Sequence, residues 1–201
     1  MNLFEDCTGK ALANGLAWFQ EPPEWGFDQD GLTITPAAKT DFFRGYLRAP
    51  SDNACLLYVN VTGDFTAVTH ARAHLVGFGD AAALTVRASA TQWTKLCLER
   101  SPIGDVSAVS VVTNPWSDDA NNELLDKPEC YLRLTRSGDV FAMHYSVDGA
   151  KWRFVRTFGL VMPPTVMVGV HAQAPFVGGC SARFGLFDLT HEAVKDFRSG
   201  E

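Results

Sequence analysis

Period-2 alternation runs through most of this chain, and no other pattern limits the fold as strongly. Phe65, Ala67, Thr69, Ala71, Ala73 and Leu75 alternate with Thr66, Val68, His70, Arg72 and His74. Leu84 and Val86 alternate with Thr85 and Arg87, and Cys130, Leu132 and Leu134 with Tyr131 and Arg133. A β-strand turns successive side chains to opposite faces, so these runs read as strands with one sealed face. The valine-rich run from Val106 to Thr113 reads as a strand buried on both faces. Val140 to Val147, Trp152 to Leu160, Thr165 to Ala172 and Ser181 to Leu189 complete the series.

Turn residues separate the runs where hairpins need them. Asp30-Gly31, Gly63-Asp64, Ser137-Gly138-Asp139 and Asp148-Gly149 supply positions that tolerate positive φ. Pro163-Pro164 and Gly178-Gly179 mark further turns. The segment from His191 to Arg198 predicts a short helix with Ala193, Val194 and Phe197 on one side. The expected architecture is an all-β, two-sheet antiparallel sandwich of about a dozen strands, closed by that helix. A chain of 201 residues is long for an average domain but ordinary for a single sandwich, so residues 1–201 read as one domain.

Charge and composition exclude several classes of function. A net charge of −6 argues against nucleic acid and anionic membranes as partners, since both ask for a basic face. No apolar run reaches about 18 residues, so no spanning helix is expected. Glu5 and Asp6 stand where a signal peptide carries basic residues, and Asn14 and Gly15 interrupt the apolar stretch after them. Five cysteines (Cys7, Cys55, Cys97, Cys130 and Cys180) form no C-x-x-C pair and read as reduced, mostly buried thiols of a cytoplasmic protein.

One strand carries chemistry on a single face. Trp93, Lys95, Cys97 and Glu99 point one way, while Thr94, Leu96 and Leu98 point the other. His171 and Gln173 share a face of a later strand. The segment 114–129 reads as a long acidic loop, able to close over a site with Trp116, Ser117 and Asp118. His70 and His74 would lie about 13 Å apart along a strand, too far to chelate one ion. Asp118, Asp119 and Asn121 are hard oxygen donors without the spacing of a Ca²⁺ loop. Neither a nucleophile elbow nor a phosphate-cradling glycine loop occurs.

Several short elements taken in order resemble a known family. They are Thr40-Asp41-Phe42-Phe43-Arg44; Asp80-Ala81-Ala82-Ala83-Leu84 with Trp93, Lys95 and Glu99; and Val111-Val112-Thr113-Asn114-Pro115-Trp116-Ser117-Asp118. Ser146-Val147-Asp148-Gly149-Ala150-Lys151-Trp152, then Val168-Gly169 and Ala174-Pro175, follow in the same order. The chain is similar, from about Trp18 to Asp188, to the domain-of-unknown-function family that contains the yeast "regulation of enolase" protein. That family lies in the concanavalin A-like lectin/glucanase superfamily. The resemblance implies a curved jelly roll and says little about chemistry. Ala81 and Ala83 stand where the pattern has Gln and Gly, and Phe43 and Asp119 where it has Trp. Wherever those positions line a pocket, the resemblance implies a ligand different from that of the relatives.

Three functions are compatible with these residues. A non-catalytic site for a carbohydrate or other polar small molecule would use Trp93 as platform and Lys95, Glu99 and His171 as polar contacts. Trp116, Ser117 and Asp118 would close it. A regulatory protein-interaction module linked to central carbon metabolism follows from the family name, and with it a protein partner. A glycoside hydrolase would need two carboxylates about 5–5.5 Å or 6.5–9.5 Å apart, for which Glu99 and Asp118 are the candidates. Lys95, on the same face, would lower the pKa of Glu99 rather than hold it protonated as an acid, so binding is preferred to catalysis. No cofactor and no metal are expected.

Overall fold

The computed structural model describes residues 1–47 and 49–201. Its strands, in chain order, are β1 (Ala17–Phe19), β2 (Glu24–Asp28), β3 (Gly31–Thr35), β4 (Phe42–Phe43), β5 (Ser51–Asp52), β6 (Leu56–Thr62), β7 (Phe65–His74), β8 (Ala81–Ser89), β9 (Gln92–Arg100), β10 (Val106–Thr113), β11 (Ser117–Leu124), β12 (Glu129–Ser137), β13 (Val140–Ser146), β14 (Arg153–Gly159), β15 (Thr165–Gln173) and β16 (Ser181–Thr190). One seven-stranded sheet runs β1-β6-β15-β8-β9-β10-β11 and the other β14-β13-β12-β7-β16-β3-β2. Every neighbouring pair is antiparallel, as the alternation predicts. The two sheets bury one common core. Leu84, Val86, Leu96 and Leu98 of the first meet Leu132, Leu134, Phe141 and Met143 of the second.

The Asp148-Gly149 hairpin forms between β13 and β14. Gly149 has φ 74°, and an added Cβ there would lie 3.0 Å from the Tyr131 ring. Both features call for glycine. The Asp148 carboxylate accepts from the amides of Ala150 and Lys151, and these bonds hold it well below the usual carboxylate range, at about 2.

Two sequence expectations are corrected. The segment 114–129 is not one long loop, because half of it is β11, paired with β10 from Thr113↔Ser117 to Ser107↔Leu124. Its side chains carry no hydrophobic alternation because, at the sheet edge, neither of its faces is sealed. The backbone pairing with β10 makes the strand. The segment 191–198 forms no helix. A piece this short cannot repay helix nucleation by itself, and one of its carbonyls has another partner. Phe197 O accepts from His144 Nε2 at 2.8 Å, and just beyond the segment Gly200 O accepts from Arg133 at 2.8 Å.

The feature that positions the site is a second, smaller core on the outer face of the first sheet. Phe42, Ala54, Leu56, Ala81, Ala83, Trp93, Cys97, Val109 and Val111 form it. The hairpin β4–β5 and the residues beside it lie across that face and are tied down along their length. Thr40 and Ala174 exchange backbone hydrogen bonds at 3.2 Å. Arg44 N donates to Ser117 Oγ at 2.9 Å, and Arg87 meets Asp52 at 2.9 Å. As a result β9 is buried on both faces from Trp93 to Leu98.

Candidate functional site

Cross-strand pairing aligns the outer face of the first sheet row by row, because directly opposed residues share a face. Lys95 sits opposite Thr85 and Val111, and Val111 is opposite Asp119. Glu99 sits opposite Ala81, which is opposite Gln173. Where the β4–β5 cover ends, this face is open as a cavity of about 470 Å³. Lys95, Glu99, Val109, Val111, Asp119, Asn121 and Gln173 line it from the sheet. Asp41 and Phe43 come from the cover, and Phe78, Gly79, Ser101, Pro102, Pro175 and Phe176 from the connecting loops. Phe78 and Phe176 stack with ring centroids 5.4 Å apart and form an apolar wall that is half exposed.

Lys95 lies at the floor, 1% exposed. Its ammonium donates to Asp41 Oδ1 at 3.2 Å, Phe42 O at 2.8 Å and Gln173 Oε1 at 2.7 Å. An ammonium has three hydrogens, so all of them are used within the protein. Burial works against the charged amine, but the charge of Asp41, reinforced by that of Glu99 where it is ionised, outweighs it and lifts the Lys95 pKa. The lysine is therefore a charged strut between cover and sheet. Gln173 Nε2 in turn donates to Gly79 O at 2.9 Å, which fixes the amide orientation.

His171 is fully buried behind this floor. Its Nε2 lies 3.1 Å from Gln173 Oε1 and its Nδ1 2.7 Å from Thr85 Oγ1. With Gln173 Oε1 an acceptor, Nε2–H donates to it and Nδ1 accepts from the Thr85 hydroxyl, the neutral tautomer. Burial, with the Lys95 cation adding to it, depresses the His171 pKa to about 3. The imidazole positions Gln173 and does not reach the cavity.

Glu99 is half-buried at the far end. Burial, aided by the charges of Asp41 and Asp119, lifts its carboxyl to about 7 against the pull of Lys95. The expectation that Lys95 would keep the Glu99 pKa low is overturned: Lys95 does pull it down, but burial is the larger effect and the net shift is upward. The sign for stability follows from linkage. Between the ordinary value of 4.5 and about 7 the folded protein holds this proton while the unfolded chain releases it, so stability falls as pH rises through that window. Glu99→Gln is expected to be more stable than wild type above pH 7 and equal to it below pH 4.5. Urea denaturation at pH 4.5 and pH 8 checks this, and an equal difference at both values would contradict it.

The remaining residues expected at the site are placed otherwise. Trp93 is fully buried against Phe42, with ring centroids 6.1 Å apart, and cannot serve as a platform. Its hydrophobic ring is drawn under the cover, at the cost of an indole N–H left without a partner. Trp116 is 40% exposed and packs on Tyr46 at 4.8 Å, outside the cavity lining. Ser117 Oγ holds the Arg44 amide and lies 2.8 Å from Thr113 Oγ1, so it secures the cover. Asp118 points to the opposite face of β11 from Asp119 and lies 3.6 Å from Arg156 of the other sheet. The structure thus brings Lys95 and Glu99 together, keeps His171 one layer behind them and leaves Asp118 outside.

Sequence reasoning from alternation did not mark Asp41, Phe43, Phe78 or Phe176 as site residues. The usable signal was the segment Thr40-Asp41-Phe42-Phe43-Arg44, whose residues lie on the cover.

Comparison with known proteins fixes the kinship. The family described as "Protein of unknown function (DUF1349)" matches residues 18–192. The chain belongs to this family. "Regulation of enolase protein 1" of Saccharomyces cerevisiae is 28% identical over 178 residues, 86% of this chain and 88% of its own length. The crystal structure of a functionally unknown protein from S. cerevisiae superposes with a TM-score of 0.83 at 26% identity, covering 89% of this chain and 97% of that one. The GH43 protein BlXynB of Bacillus licheniformis, in a mutant form, superposes with a TM-score of 0.75 at 15% identity over 95% of this chain and 39% of its own. That last likeness is one of fold. Two of the four departures from the family pattern, Phe43 and Asp119, line the cavity, while Ala81 and Ala83 lie in the outer core.

Proposed function

We propose that the cavity beside the β4–β5 cover binds a small polar ligand, a carbohydrate in the first instance, without transforming it. The observation that carries this reading is the composition of one cavity. A stacked Phe78–Phe176 wall stands near the carboxyl groups of Glu99 and Asp119 within about 470 Å³. Ligand sites are concave, largely apolar and furnished with a few fixed polar groups, and this volume is within their usual range. A sugar ring offers both partners, C–H faces for the phenylalanines and hydroxyls for the carboxylates. The reading places the protein in the cytoplasm, in keeping with five unpaired cysteines, four of them buried.

The test is a thermal-shift screen of the purified protein against a broad panel of mono- and oligosaccharides, repeated with Phe176→Ala. A ligand that raises the melting temperature of the wild type and not of the variant supports the reading. A flat response across the panel overturns it.

A second reading, a regulatory protein-interaction module, draws on the similarity to "Regulation of enolase protein 1" and on apolar side chains exposed in the segment that follows β4, among them Tyr46 at 75% and Leu47 at 101%. Absence of any stoichiometric partner after cross-linking in cytosol would count against it. Hydrolysis by Glu99 with Asp118 has no geometric support, since the two side chains occupy opposite faces of the sheet.

A further inference from the structure

The lining of the cavity is one-sided in its hydrogen bonding, and this deepens the binding reading on which it rests. Lys95 is the one cationic side chain among the described residues that line the cavity, and its three hydrogens are committed to Asp41, Phe42 and Gln173. The oxygen of Gln173 is likewise occupied, by Lys95 and His171. What remains for a ligand at the sheet face is the two carboxyl groups of Glu99 and Asp119, and the Asn121 amide, which both accepts and donates. We infer that the cavity selects ligands that donate hydrogen bonds, neutral or amino sugars with several free hydroxyls, and excludes acidic sugars such as uronates and sugar phosphates.

Two physical effects combine in this selection. An anionic group entering beside Glu99 and Asp119 loses water and gains a like charge, and no free ammonium or guanidinium among the described lining residues compensates it. A hydroxyl entering the same place donates to a carboxylate, one of the stronger hydrogen bonds a neutral ligand can make. The elevated Glu99 pKa adds a pH dependence. Above about pH 7 Glu99 is ionised and exclusion is strongest. Below it Glu99 carries a proton, can itself donate, and tolerates an anion better. The other charged groups that face Glu99 are Lys95, Asp41 and Asp119, and Cys97 donates its thiol hydrogen to it.

The experiment compares ligands that share one ring. Binding of glucose, glucosamine, glucuronate and glucose 6-phosphate to the ¹⁵N-labelled protein is titrated at pH 8 and pH 5.5, following amide shifts of Val109, Val111, Asp119 and Asn121. Glucose and glucosamine are expected to shift these amides. Glucuronate and glucose 6-phosphate are expected to bind at least tenfold more weakly at pH 8, with a smaller gap at pH 5.5. The double variant Glu99→Gln, Asp119→Asn should narrow the gap at pH 8 to less than threefold. Acidic sugars that bind as tightly as glucose at pH 8 would overturn the selectivity and leave the binding reading standing. No shift with any of the four probes, nor with the oligosaccharides of the thermal-shift panel, would overturn both.

Discussion

Replacing Lys95 by methionine is expected to destabilise the protein by about 3–5 kcal/mol, the cost of breaking a buried ion pair from one side. The variant leaves the Asp41 carboxylate, 4% exposed, without its ammonium. It also strips a donor from Phe42 O and from Gln173 Oε1. For a chain of this length the melting temperature should drop by on the order of 10 °C. The pair Lys95→Met, Asp41→Asn removes both charges and should recover a large part of the loss, as buried pairs replaced together often do. Urea denaturation of both variants and wild type checks the expectation. A single-variant loss below about 1 kcal/mol would mean that the strut does not hold the cover.

Phe42→Ala is expected to cost a similar amount, about 3–5 kcal/mol, through a different mechanism. The Phe42 ring is fully buried and lies 6.2 Å from Phe19, 6.1 Å from Trp93 and 5.3 Å from His171, with the Arg87 guanidinium 5.2 Å from its centre. Its removal empties the middle of the outer core. The second consequence separates this variant from an ordinary core deletion. With the cover loosened, water reaches Glu99, and its titration should move from about 7 toward the ordinary carboxylate range. Carbon-detected NMR of the Glu side chains reads that movement directly. An unchanged Glu99 titration alongside a large stability loss would show that the cover does not set the dielectric of the cavity.

The strands whose sealed face alternates cleanly were legible, and the reason is physical. Ala67, Leu132, Leu134 and Met143 are inside because a two-faced sheet leaves no other place for them. The edge strand β11 was not legible, since Ser117, Asp118, Asp119, Asn121 and Asn122 gain nothing from burial and owe their conformation to the ladder with β10. The helix expected at 191–198 rested on spacing over too few residues. At the site, alternation correctly grouped Trp93, Lys95, Cys97 and Glu99 on one face. It could not say what covers that face. Phe42, more than one hundred residues before His171 in the chain, decides that Trp93 and His171 are interior while Lys95 and Glu99 reach the cavity. Long-range cover of this kind leaves no periodic trace in a sequence.

The position of β11 at the sheet margin has one more outcome. Asp119 and Asn121 line the cavity yet belong to neither core, so a change at either alters what the cavity meets without opening a void or breaking a packed contact. At this edge the cavity wall and the two packed cores are thereby carried by separate residues. A family built on this sandwich can vary the chemistry of the wall one side chain at a time while the strut and the aromatic cover stay fixed.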